Sequence, residues 1–89
     1  MELGGNITLE GFDNLDPAKL IVIKKIAGSF AKKVNDEQGE YEKLTFTLDG
    51  EYKISITLKQ KNKELSAENE DNNLFFTLSN AIKILEAKF

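Results

Sequence analysis

The chain has 89 residues, 40% hydrophobic and 30% charged, with a formal net charge of −3. That length holds one small core, so residues 1–89 are expected to form a single domain. Cysteine and histidine are both absent, which excludes disulfides, thiolate metal sites, a cysteine nucleophile and the commonest general base.

The first predicted element is a strand in NITLEGF. Ile7 and Leu9 alternate with Thr8 and Glu10, and Leu3 shares the parity of the apolar pair. Gly11 ends it. Asp16-Pro17 then gives an N-cap followed by proline at the first helical position. The helix is predicted from about Pro17 to Asn35, where a polar run breaks the pattern. Leu20, Ile23, Ile26, Ala27, Phe30, Ala31 and Val34 form its apolar face, with Lys24, Lys25 and Lys32 opposite. Ile21 and Gly28 sit among those lysines.

KLTFTLDGEYKISITL reads as a hairpin. Leu44, Phe46 and Leu48 share one face of its first strand, and Tyr52, Ile54, Ile56 and Leu58 share one face of the second. A two-residue Asp49-Gly50 loop would put these sets on opposite faces. A three-residue loop restores parity, with Gly50 left-handed beside a bulge. The next turn, around Lys61-Asn62, works with two residues. It pairs Leu58 with Leu65 and Ile56 with Ala67, and asparagine tolerates positive φ there. ELSAENE is therefore the last strand. Asp71, Asn72 and Asn73 finish it and cap a second helix, predicted from about Asn73 to Phe89. Leu74, Leu78, Ala81, Ile82, Leu85 and Phe89 form its apolar face, leaving Phe76 and Ile84 off it. The expected architecture is α+β: β-α-β-β-β-α, with two helices packed on one face of a four-stranded sheet.

No set of side chains assembles a catalytic centre. The carboxylates of Glu40, Glu42, Glu64, Glu68, Glu70 and Asp71 sit in turns or on a solvated face. Gly4-Gly5 and Gly28 lack the strand-to-helix spacing of a phosphate loop. The expectation is a non-enzyme with no cofactor and no metal. No apolar run nears the roughly 20 residues of a membrane span, and the N-terminus lacks a basic stretch followed by an apolar one. A cytoplasmic protein without membrane contact is expected. Charge is uneven: residues 16–36 carry +3 and residues 64–73 carry −4. All twelve cations are lysine, so bidentate arginine contacts to phosphate are ruled out. The first-helix lysines read either as an electrostatic footprint for RNA or as an ordinary solvated face.

Three stretches resemble the ribosome hibernation-promoting factors, the ribosome-associated inhibitor family. NITLEGF is similar to that family's opening strand. Lys24-Lys25-Ile26 with Lys32-Lys33 is similar to its first helix, and LSAENEDNNLFFTLSNAIKIL to its last strand, acidic turn and final helix. The resemblance implies a β-α-β-β-β-α domain that binds the small ribosomal subunit in the tRNA/mRNA channel and blocks translation in resting cells. It implies RNA contacts by Lys24, Lys25 and Lys32 of the first helix and by Lys83 and Lys88 at the end of the chain, and the charge pattern of the first helix adds Lys33 to the candidate RNA-binding set. Ile84 and Ala87 stand where the family's final helix is richer in basic residues. That difference supports an alternative in which a protein partner or a second copy is contacted through Ile21, Phe76 and Ile84 or through an open sheet edge.

Overall fold

The computed structural model describes residues 1–4 and 6–89. Gly5, half of the Gly-Gly step, lies outside the described residues. The elements in chain order are β1 (Glu2–Gly4), β2 (Ile7–Glu10), α1 (Pro17–Gln38), β3 (Lys43–Asp49), β4 (Lys53–Lys59), β5 (Glu64–Glu70) and α2 (Leu74–Glu86). The sheet has five strands in the order β1-β2-β3-β4-β5, one more than expected. Leu3 does not extend β2. It belongs to β1, which folds back antiparallel on β2. Gly4 and Asn6 take φ of 82° and 66° in the reversal, a conformation that glycine and asparagine tolerate best.

β2 and β3 are parallel, and β4 runs antiparallel to both of its neighbours, β3 and β5. A parallel pair needs a long crossover, and α1 supplies it. Asp16 caps α1 by accepting from the Ala18 N–H at 2.8 Å. The helix runs three residues beyond Asn35 to Gln38 and stops at Gly39, whose φ is 81°. The β3–β4 register is the expected one. Phe46 faces Ile56 and Asp49 faces Lys53, leaving Gly50, Glu51 and Tyr52 as a three-residue loop. Gly50 has φ of 75°. The pairing is continuous, without the expected bulge, and Tyr52 lies exposed in the loop rather than on the apolar face. In the β4–β5 turn Leu58 faces Leu65 and Ile56 faces Ala67, and the Gln60 N–H donates to the Lys63 carbonyl at 2.8 Å. Asn62 keeps a φ that is not positive.

Alternation along β2, β3, β4 and β5 sends Ile7, Leu9, Leu44, Phe46, Leu48, Ile54, Ile56, Leu58 and Ala67 to one side of the sheet. Both helices share one buried cluster with them: Ile23, Ala27, Phe30 and Val34 from α1, and Leu74, Leu78, Ala81 and Leu85 from α2. The helices therefore lie on the same sheet face, α1 against β2 and α2 against β4 and β5. Phe30 ties the layers together. Its ring meets Phe46 edge-on at 6.3 Å and stacks on Phe89 at 6.4 Å. Phe12, just after β2, is fully buried. It reaches the core because Gly11, at φ 81°, turns beside β3. A Cβ there would lie 2.2 Å from the Leu48 carbonyl oxygen.

The α2 N-terminus is built by Asn73, whose side chain accepts from the Phe75 and Phe76 N–H groups at 2.9 and 3.1 Å. The fully buried Thr77 satisfies its hydroxyl by donating to the Asn73 carbonyl at 3.0 Å. These bonds fix the first turn of α2 and with it the position of Phe76.

Candidate nucleic-acid interface

Eighteen residues of α1, Pro17 to Val34, hold five lysines and no acid. The apolar face of the helix is sealed against the sheet, so these lysines are distributed over what remains. Lys24, Lys25 and Lys32 are exposed. Among the described residues they make no ion pair. Lys32 edges a surface depression of about 410 Å³ shared with Asn6, Ile7, Ala31, Asn35, Glu40 and Tyr41. Lys25 lies at the other border of the stripe, where its chain reaches the groove between the helices beside Ile26 and Ile82. The three ammonium groups are thus spread over the outward surface of one helix.

Lys33 is placed differently. It turns into the interhelical groove, where its ammonium contacts the Glu86 carboxylate of α2, with Glu37 a further 4.0 Å neighbour on its own helix. The hydrogen bond and attraction from Glu86 hold the Lys33 pKa above 10.5, the usual lysine value. Its charge is spent on joining the two helices. Lys88 extends over β5 and donates to the Ser66 backbone carbonyl. Lys83 is exposed in the last turn of α2, where a cation meets the negative end of the helix dipole. Of the six lysines singled out in the sequence, the structure brings Lys24, Lys25 and Lys32 together on α1 and gives Lys33 and Lys88 internal partners.

The apolar candidates are exposed: Ile21 at 56%, Phe76 at 63% and Ile84 at 40%. Ile21 lies within the lysine stripe, one turn before Lys24 and Lys25. Phe76 stands on the first turn of α2. Val22, also exposed, lies next to Ile21 and, like it, off the apolar face of the helix.

Gly28 sits at the centre of the α1 stripe. It is exposed, and a Cβ built there would have no neighbour within 4 Å. The helix passes through it without interruption. An interior helical glycine costs roughly 0.5–1 kcal/mol relative to alanine, and no packing contact inside the chain requires it here.

The solvated face of the sheet carries threonine, serine and lysine, including Thr45, Thr47, Lys53, Ser55 and Thr57. The acids of residues 64–73 belong to β5 and its following turn, at the sheet edge away from α1. The α1 lysines are thereby kept apart from the β5 acids, of which Glu68 has its own cation in Lys53 of β4. Among the described residues, no group of three or more acids is gathered as a metal site, and no helix is long and apolar enough to cross a membrane.

The fold has a solved counterpart. The N-terminal domain of Protein Y from Thermus thermophilus superposes with a TM-score of 0.61, covering 92% of this chain and 90% of that one, at 18% sequence identity. The likeness is one of fold. No protein-family model matches the chain, and no curated protein matches it.

Proposed function

We propose that this chain is a non-enzymatic, cytoplasmic RNA-associated factor that docks on the small ribosomal subunit and modulates translation, as its resemblance to the hibernation-promoting factors implies. The observation that carries this reading is the set of α1 lysines, Lys24, Lys25 and Lys32, which make no ion pair among the described residues and stand on a stretch of helix, Pro17 to Val34, that holds no acid, in a Protein Y-like fold. In a protein of net charge −3, such a surface is where phosphate would be attracted, while the acidic β5 edge would be repelled. The binding energy is electrostatic and comes with release of counterions. Lys83 would extend the contact from α2. Lys33 and Lys88, exposed but engaged with Glu86 and the Ser66 carbonyl, would contribute less to the contact.

Co-sedimentation with small ribosomal subunits tests this. Wild-type protein is expected to pellet with subunits at low salt and to be released at high salt. The Lys24→Glu/Lys25→Glu protein is expected to remain in the supernatant under both conditions. Equal pelleting of the two proteins would refute the lysine footprint.

A second reading rests on the exposure of Phe76 and Ile21. In it, these side chains form a protein contact or a homodimer interface. Light scattering separates the readings: a dimer that becomes a monomer in Phe76→Ser favours the second, and a monomer in both proteins removes the homodimer.

A further inference from the structure

Gly28 sits where a glycine is costly and where nothing in the fold asks for it. It is not a helix cap, since α1 continues ten residues beyond it to Gln38. Nor does it allow close packing, since the space a Cβ would take is open. Its surroundings are specific, however. Lys24 and Lys32 lie one turn before and one turn after it, at i−4 and i+4, and Lys25 lies at i−3. All three are therefore neighbours on the same strip of helix surface. The missing side chain at Gly28 leaves a notch in that strip, open to solvent, with the three lysines rooted around it and the Lys25 and Lys32 chains bordering depressions on either side of the helix.

We propose that Gly28 is the point of closest approach for an RNA sugar-phosphate strand, which crosses α1 in this notch between Lys24 and Lys32. The inference rests on the RNA reading above and adds to it the place and the class of contact. Three observations select this occupant. The lysines around the notch make no ion pair among the described residues. No acid interrupts the helix from Pro17 to Val34. The strip holds no aromatic residue on which a base could stack, Ile21 being its apolar member, so the contact is to backbone and not to bases. Lys24 and Lys32 are about 12 Å apart along the helix axis, so they grip the strand on either side of the crossing. A side chain at position 28 would hold the strand away from the helix and lengthen every ammonium–phosphate distance.

The test uses small ribosomal subunits purified from the expression host, titrated with wild-type, Gly28→Ala, Gly28→Leu, Ser29→Ala and Lys24→Glu/Lys25→Glu proteins. Ser29 faces the interhelical groove beside Ile82 and Glu86, so its substitution raises helix propensity without entering the notch. Alanine at 28 is expected to raise Tm by about 4 °C and yet to weaken binding about fivefold. Leucine at 28 is expected to weaken it further, and Ser29→Ala to leave it unchanged. If Lys24→Glu/Lys25→Glu loses binding while both Gly28 variants bind as wild type does, the notch is refuted and the lysine footprint stands. If Lys24→Glu/Lys25→Glu binds normally, or the wild-type protein does not bind, the RNA reading and the notch fall together.

Discussion

Two glycines show how the same residue type answers to different demands. Gly11 is required from inside: its φ is 81°, and an added Cβ would collide with the Leu48 carbonyl. Gly11→Ala is expected to destabilise the protein by about 2 kcal/mol or more, read as a lower urea midpoint with an unchanged m-value. Gly28 has no such demand, and its replacement by alanine is expected to stabilise by about 0.5–1 kcal/mol. The sequence presents both simply as glycines. The β3 carbonyl that distinguishes Gly11 comes from a distant part of the chain. The same limit applies to Lys32 and Lys33, adjacent in sequence and unlike in setting. Helical periodicity separates their directions but does not name Glu86, on another helix, as the partner of Lys33. Because Glu86 raises the Lys33 pKa, the stabilisation from that pair is complete below the unfolded lysine value and is lost as pH rises through the raised one. The Tm difference between wild type and Lys33→Met should therefore be present at pH 8 and shrink as pH climbs beyond 10.5. A difference that is constant across this range would show that the charge of Lys33 does not matter.

At the scale of elements, parity did most of the predictive work. Requiring Phe46 and Ile56 to share a face fixed a three-residue loop around Gly50 against the familiar two-residue Asp-Gly turn, and the pairing follows it. β1 escaped because three residues are too few to establish a period. The signal that could have found it is the reversal chemistry of Gly4 and Asn6, both of which take positive φ. The C-terminal extension of α1 was hidden for another reason. Residues 36–38 add nothing to the apolar stripe, and the true stop is Gly39, whose N–H donates to the Asn35 carbonyl at 3.1 Å. Asn73 was legible as a cap because its residue type and position suffice. Asn73→Ala removes the acceptor for two N–H groups and should cost about 1 kcal/mol, measurable by urea unfolding followed by circular dichroism.

The molecule as a whole is organised around a cluster to which the sheet and both helices contribute. Phe46, fully buried and in contact with Phe30, sits where sheet and α1 meet. Phe46→Ala should cost about 3–5 kcal/mol and lower the thermal transition seen by far-UV and near-UV signals together. This core sets the surface chemistry. With both helices on one sheet face, α1 presents Lys24, Lys25 and Lys32 outward on its side, and the acids of β5 and its turn lie at the other edge. The amphipathic pattern revealed which lysines point away from the core. The distance of the α1 lysines from the β5 acids needed the strand order.

The central claim is that Lys24 and Lys25 neutralise phosphates directly, and the salt dependence of binding measures that contact. Affinity for small ribosomal subunits should be determined across a salt series for wild type and for Lys24→Gln/Lys25→Gln. Two lost phosphate contacts should reduce the slope of log K against log salt by about 1.4–1.8. Parallel lines, with the same slope in both proteins, would contradict the account.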